Sequence, residues 1–112
     1  MLSSCGGDPA ADWAGTYNIT EISFGGLTLK ATGTELGSVV ITKVDSKKIT
    51  IKATITGSTS GDVTTVENVE STKFTYTDKD GSVATATRSG NEMTVEITEK
   101  SGAKGTIKGK KS

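Results

Sequence analysis

The chain has 112 residues, 13 basic and 13 acidic side chains, five aromatics and no histidine. That length suits one domain around one core. The balanced charge and sparse rings exclude an ordinary nucleic-acid binder, which needs a basic face and stacking aromatics, and no segment approaches the roughly 20 apolar residues of a membrane-spanning helix.

Residues 1–11 read as a flexible tether, since Gly6-Gly7-Asp8-Pro9 offers no apolar side chain to bury. From residue 12 to 112 the chain reads as a single all-β domain. Its dominant signal is alternation with a period of two, the mark of strands with one dry and one wet face. Leu27, Leu29 and Ala31 alternate with Thr28, Lys30 and Thr32. Ile49, Ile51, Ala53 and Ile55 alternate with Thr50, Lys52, Thr54 and Thr56. Phe74 and Tyr76 follow the same rule, as do Met93, Val95 and Ile97, and then Ala103, Gly105 and Ile107. The predicted strands are 14–24, 26–32, 38–44, 47–56, 62–69, 72–77, 82–88, 92–99 and 103–109. Twenty threonines, stiff at Cβ, favour extended backbone. No window shows a sustained helical period, so no helix is expected. The basic run Lys104, Lys108, Lys110 and Lys111 reads as a solvated last strand and tail.

Turn residues separate the runs at Gly25-Gly26, Gly33 to Gly37, Asp45-Ser46, Gly57 to Gly61, Glu70-Ser71, Asp78 to Gly81, Ser89 to Asn91 and Ser101-Gly102. Glycine, asparagine and aspartate supply the positive φ of tight hairpins. Short strands at regular spacing predict an antiparallel up-and-down meander of eight to nine strands. Such a meander hides its edges by closing into a barrel or by folding into two packed sheets. With short hairpins throughout, closure into a small barrel is the simpler expectation. Tyr17 and Ile51 are expected inside it, Thr50 and Thr54 outside.

Composition removes most catalytic chemistry. Without histidine, and with one cysteine at position 5, Ser-His-Asp and Cys-His catalysis and ordinary zinc sites are absent. The carboxylates are scattered over turns and wet faces rather than paired as glycosidase chemistry requires. No enzyme, no cofactor and no metal are expected. Asp78-Lys79-Asp80-Gly81-Ser82 resembles the start of a calcium loop but lacks a glutamate at the right distance, and a hairpin turn accounts for it. Thr-x-Thr pairs at 54/56, 75/77 and 85/87 lack the strict repeat of ice-binding sheets.

Leu2-Ser3-Ser4-Cys5 resembles the bacterial lipobox, in which the cysteine is lipidated and becomes the mature N-terminus. Four residues precede it, whereas a secretory signal carries a basic stretch and an apolar stretch of roughly 7–15 residues. The expectation is therefore that the sequence given begins near the end of such a signal; the alternative is a polar tail with an incidental cysteine. Trp13-Ala14-Gly15-Thr16-Tyr17 resembles the opening strand of lipocalin-like (calycin) barrels, with Gly15-Thr16-Tyr17 in place of their Gly-x-Trp. Residues 12 to 110 together resemble the small calycin-like lipoproteins of Bacteroides-type bacteria. The resemblance implies a lipid on Cys5, a place in the bacterial cell envelope at the outer membrane or cell surface, and a monomeric barrel. In many calycins an arginine near the last strand packs over the tryptophan. The only arginine here is Arg88, on the seventh segment, so Lys104 or Lys108 is expected to take that part.

Small residues recur on the dry face: Ala31, Ala53, Ala84, Ala86, Ala103 and Gly105. Inside a barrel they relieve crowding or leave room for a ligand. A ligand site would then lie among Tyr17, Leu29, Ile51, Tyr76 and Met93, with Ala31, Ala53 and Ala103 giving the space. Three readings stay open: binding of a small apolar ligand, a protein-interaction or inhibitor module working through its sheet faces or its loops at 33–37 and 57–61, and a structural envelope component.

Overall fold

A computed structural model describes residues 8–31, 35–56, 63–77 and 81–111. Asp8 caps a short helix, α1 (Pro9–Trp13), its carboxylate accepting from the Ala11 amide at 3.3 Å. Proline suits the first turn, where its missing N–H would have had no partner. Nine strands follow among the described residues: β1 (Gly15–Phe24), β2 (Leu27–Lys30), β3 (Gly37–Asp45), β4 (Lys48–Ile55), β5 (Val63–Val66), β6 (Lys73–Thr77), β7 (Val83–Ser89), β8 (Glu92–Thr98) and β9 (Lys104–Lys111). Each lies within a few residues of its predicted segment.

All pairings are antiparallel, in the order β5-β4-β3-β1-β9-β8-β7-β6, with β2 on β1 outside that path. The first strand pairs with the last, which curls the meander into a nearly closed barrel. The remaining opening lies mid-chain, where no ladder joins β5 to β6 among the described residues. At one end of that opening the link between them crosses back: the Val69 amide donates to Lys47 O and the Glu70 amide to Lys73 O.

A bulge in β1 shapes the rest. The register with β9 shifts between Ile19 and Glu21, so one extra residue enters β1. The inward set therefore changes parity, from Tyr17 and Ile19 to Ile22 and Phe24. Before the bulge β1 pairs with β3, Tyr17 opposite Val39. After it β1 pairs with β2, Ile22 opposite Leu29 and Phe24 opposite Leu27. The β3 ladder starts at Gly37 and β4 ends opposite it at Ile55, so the β1–β2 hairpin rises past the β3–β4 wall.

Register explains how the interior fills. Directly opposed residues share a face, so Phe74, Ala86, Val95, Ile107 and Ile22 form one inward rank. Tyr76, Ala84, Ile97, Gly105 and Phe24 form the next. Large side chains sit beside small ones along both ranks. Gly105 is the extreme case: a Cβ there would collide with the Phe24 ring. The core runs from Ala10 and Trp13 through Tyr17, Ile19, Ile41, Ile49, Ile51 and Met93.

Two expectations are corrected. A helix is present, and the tether is shorter than residues 1–11, because Ala10 and Trp13 are fully buried. The Ala10 amide donates to Ser46 O, and Lys43 pairs with Asp8, tying α1 to the β3–β4 hairpin.

Candidate functional site

The barrel has two unlike ends. At one, α1 lays Trp13 across the opening. The indole Nε1 donates to Glu70 O at 2.7 Å, and the ring meets Phe74 edge-on with centroids 4.6 Å apart. Arg88 covers the other side, its guanidinium 5.9 Å from the indole centroid. Its Nε donates to Ser71 O and its Nη1 to Gly90 O, both at 3.0 Å, so the fork is fixed by two loops at once. The expectation that Lys104 or Lys108 would cover the tryptophan is thereby corrected: Arg88 itself does so, from the penultimate position of β7. A lysine does cover a ring here, with Lys111 Nζ 5.4 Å from the Tyr17 centroid. Tyr17 donates its hydroxyl to Trp13 O at 2.7 Å. Burial pushes the phenol above its ordinary range, against a smaller opposing pull from Arg88. This end is closed by packing and hydrogen bonds together.

The opposite end carries apolar surface that packing leaves uncovered. Leu27 and Leu29 sit on the inward side of β2, in rank with Phe24 and Ile22, yet are 64% and 47% exposed. The cause is the height difference set by the bulge, since β2 has no ladder on its outer edge among the described residues. The same end of the barrel carries Phe24, Leu36, Ile55, Tyr76 and Ile97, each partly buried and packed on the core. The result is an apolar mouth with a packed floor. The Tyr76 ring lies 6.0 Å from that of Phe74, joining mouth to floor.

The residues singled out from the sequence divide between these regions. Tyr17, Ile51 and Met93 are buried in the floor, in contact with the rest of the core. Leu29 and Tyr76 belong to the mouth. Of the small residues, Ala84 and Ala86 are buried beside Tyr76 and Phe74. Ala53 and Ala103 are exposed, so they do not hollow out the core. Ala31 lines a shallow groove of about 470 Å³ with Thr20, Glu21, Lys30 and Glu35, on the flank where β2 leaves β1. Lys108 neighbours Glu21 there, with Nζ 3.9 Å from the carboxylate. Sequence reasoning missed Leu27, Phe24, Leu36, Ile55 and Ile97 as parts of the mouth. The apolar Leu27–Leu29 pair after a Gly-Gly turn was the available signal. Cys5, the 57–61 loop, Gly33 and Thr34 of the 33–37 loop, and Asp78 to Asp80 lie outside the described residues.

Among the described residues no group of three histidine, cysteine, aspartate or glutamate side chains could hold a metal. No helix there is long and apolar enough to cross a membrane. No family model matches the chain, and no curated protein matches it. Among solved structures, a redesigned β-barrel superposes with a TM-score of 0.66 at 16% identity, covering 99% of each chain. At that identity the likeness is one of fold: this chain is a small, nearly closed antiparallel β-barrel.

Proposed function

We propose that the protein is a non-enzymatic binding barrel of the bacterial cell envelope, carried on a lipid at Cys5, that takes a small apolar or amphipathic molecule at its open mouth. The observation that carries this reading is the exposure of Leu27 and Leu29 on the inward side of β2, above the half-buried Phe24, Tyr76 and Ile97. Leucines on the concave side of a barrel, in rank with core residues, are placed to meet a guest. Ligand sites are mostly apolar and concave, and barrel mouths are among their usual places. The Leu2-Ser3-Ser4-Cys5 pattern supports the anchor and the envelope location.

A protein-interaction module is the second reading, and it rests on a different surface. Val40 and Val63 flank Lys52 in one outward rank of β3, β4 and β5, and both valines are exposed.

The test is titration with an environment-sensitive apolar dye. Leu27→Asp combined with Leu29→Asp should weaken binding at least about tenfold, a loss of roughly 1.4 kcal/mol. Fully burying one leucine is worth about 1.5–3 kcal/mol, so the two side chains easily supply that. Both are exposed, so the double variant should keep the parent's melting temperature. Unchanged affinity would sink the mouth reading, and loss of binding on Val40→Asp with Val63→Asp instead would favour the interaction surface.

A further inference from the structure

We infer that the N-terminal anchor holds the closed end of the barrel toward the membrane and the mouth away from it, so that the mouth serves molecules arriving through the aqueous phase rather than from the anchoring bilayer. This rests on the reading of Cys5 as the lipidated residue, and adds to it the direction in which the binding end faces.

The argument is one of reach. Cys5 and Asp8 are three residues apart, and fully extended chain spans at most about 3.6 Å per residue, so the anchor lies within about 11 Å of Asp8. Asp8 is not free to wander over the barrel. It caps α1 and pairs with Lys43, and the next amides fasten the helix to the β3–β4 hairpin through Ala10 and Ser46. Trp13, three residues past Ala10, is pinned to Glu70 O. The point of attachment is thus fixed at the closed end.

The mouth is a strand length away. β1 begins at Gly15, directly after α1, and its ten residues end at Phe24, beside Leu27. At about 3.3 Å per residue that strand spans roughly 30 Å, and the whole domain measures 44 Å along its longest axis. A tether of about 11 Å cannot carry the far end of such a body round to the surface it is fixed to. The exposed valines of the outer wall are few and broken by charge, Val40 and Val63 lying either side of Lys52 and Val83 opposite Thr98. The outward rank Thr75, Thr85, Glu96 and Thr106 is hydroxylated and charged along its length.

Cys5 is the only cysteine, so a maleimide-headgroup lipid couples the purified protein to vesicles at that residue alone. Trp13, the only tryptophan, marks the closed end, and Leu27→Trp adds a second emitter at the mouth, where an exposed leucine tolerates the exchange. The vesicles carry a dansyl-headgroup lipid as energy acceptor. The parent should lose most of its tryptophan emission on coupling, while the emission that Leu27→Trp adds should be largely spared. Equal loss from both emitters, or greater loss from the added one, overturns the inference. A second arm measures anilinonaphthalene sulfonate affinity before and after coupling to vesicles without the acceptor. Unchanged affinity is expected, and a severalfold loss places the mouth against the bilayer and also overturns it. Chemical coupling fixes the anchor whether or not cells lipidate Cys5. The lipid reading fails separately, if the secreted precursor carrying Cys5→Ser still fractionates with membranes. The ligand reading fails separately, if the uncoupled protein binds no dye, and the energy-transfer arm still reports the orientation.

Discussion

Tyr17 stands where three parts of the closed end meet: its hydroxyl bonds Trp13 O, its ring lies under Lys111, and its Cβ occupies the space into which a side chain at Gly109 would point. Its raised pKa gives a pH signature. Below about pH 10, the ordinary value for the phenol, it is protonated in both folded and unfolded chains, and it adds no pH dependence. Above that, the unfolded chain ionises first and binds fewer protons than the folded one, so stability falls as pH rises until the folded phenol also ionises. Tyr17→Phe removes both this titration and one buried hydrogen bond, worth about 1 kcal/mol. Urea unfolding should show the parent ahead of Tyr17→Phe at about pH 8, with the gap closing above about pH 10; a gap independent of pH would show that the phenol is not held neutral by the fold. At this scale the sequence conveyed the face of each side chain better than its depth. Ile51 and Ala53 lie on one side of β4, but only Ile51 is buried, while the larger Ile55 beyond them is half-buried and packed on the core. Arg88 was legible as the lone arginine, but its place over Trp13 depends on how β7 and α1 meet, which local pattern does not encode.

The nine strands were legible because alternation and turn chemistry are local, and both act within a hairpin. α1 was not, because five residues are too few for a 3.6-residue period to show. Its signal lay in the cap: aspartate at the N-cap followed by proline at the first helical position is a helix start. The bulge of β1 was equally hidden, since Ile19 and Ile22 each look like ordinary core residues. That one inserted residue decides the site, because it hands β1 from β3 to β2 and lifts Leu27 and Leu29 above the neighbouring wall. The importance of α1 can be measured by truncation. Removing residues 1–7 should leave the melting temperature within about 2 °C, as expected when less than about 1 kcal/mol is at stake. Removing residues 1–13 also takes out Trp13, and loss of a buried tryptophan side chain costs about 3–5 kcal/mol. At several degrees per kcal/mol in a domain this size, that truncation should lower the melting temperature by more than about 10 °C. A small effect would mean that the cap is an accessory to a barrel stable without it.

At the scale of the whole molecule, the two ends divide the work. The closed end joins α1, the β3–β4 hairpin, the β5–β6 link and the end of β7 into one packed plug. The open end keeps apolar side chains on the concave side with less packing above them. Barrel architecture followed from the sequence as a whole, through strand number and hairpin spacing. The position of the gap between β5 and β6 did not, because it depends on the interruption of one ladder rather than on any residue pattern. In the proposed function, binding belongs to the mouth and not to the interior or the outer wall. Amide chemical-shift mapping during titration with an apolar dye tests it most directly. Shifts confined to residues 24–30, 53–55, 76 and 97, with the amides of Trp13, Tyr17 and Met93 unmoved, are the predicted result; shifts centred on Trp13, Tyr17 and Met93, or spread along the outward rank of Val40 and Val63, would contradict it.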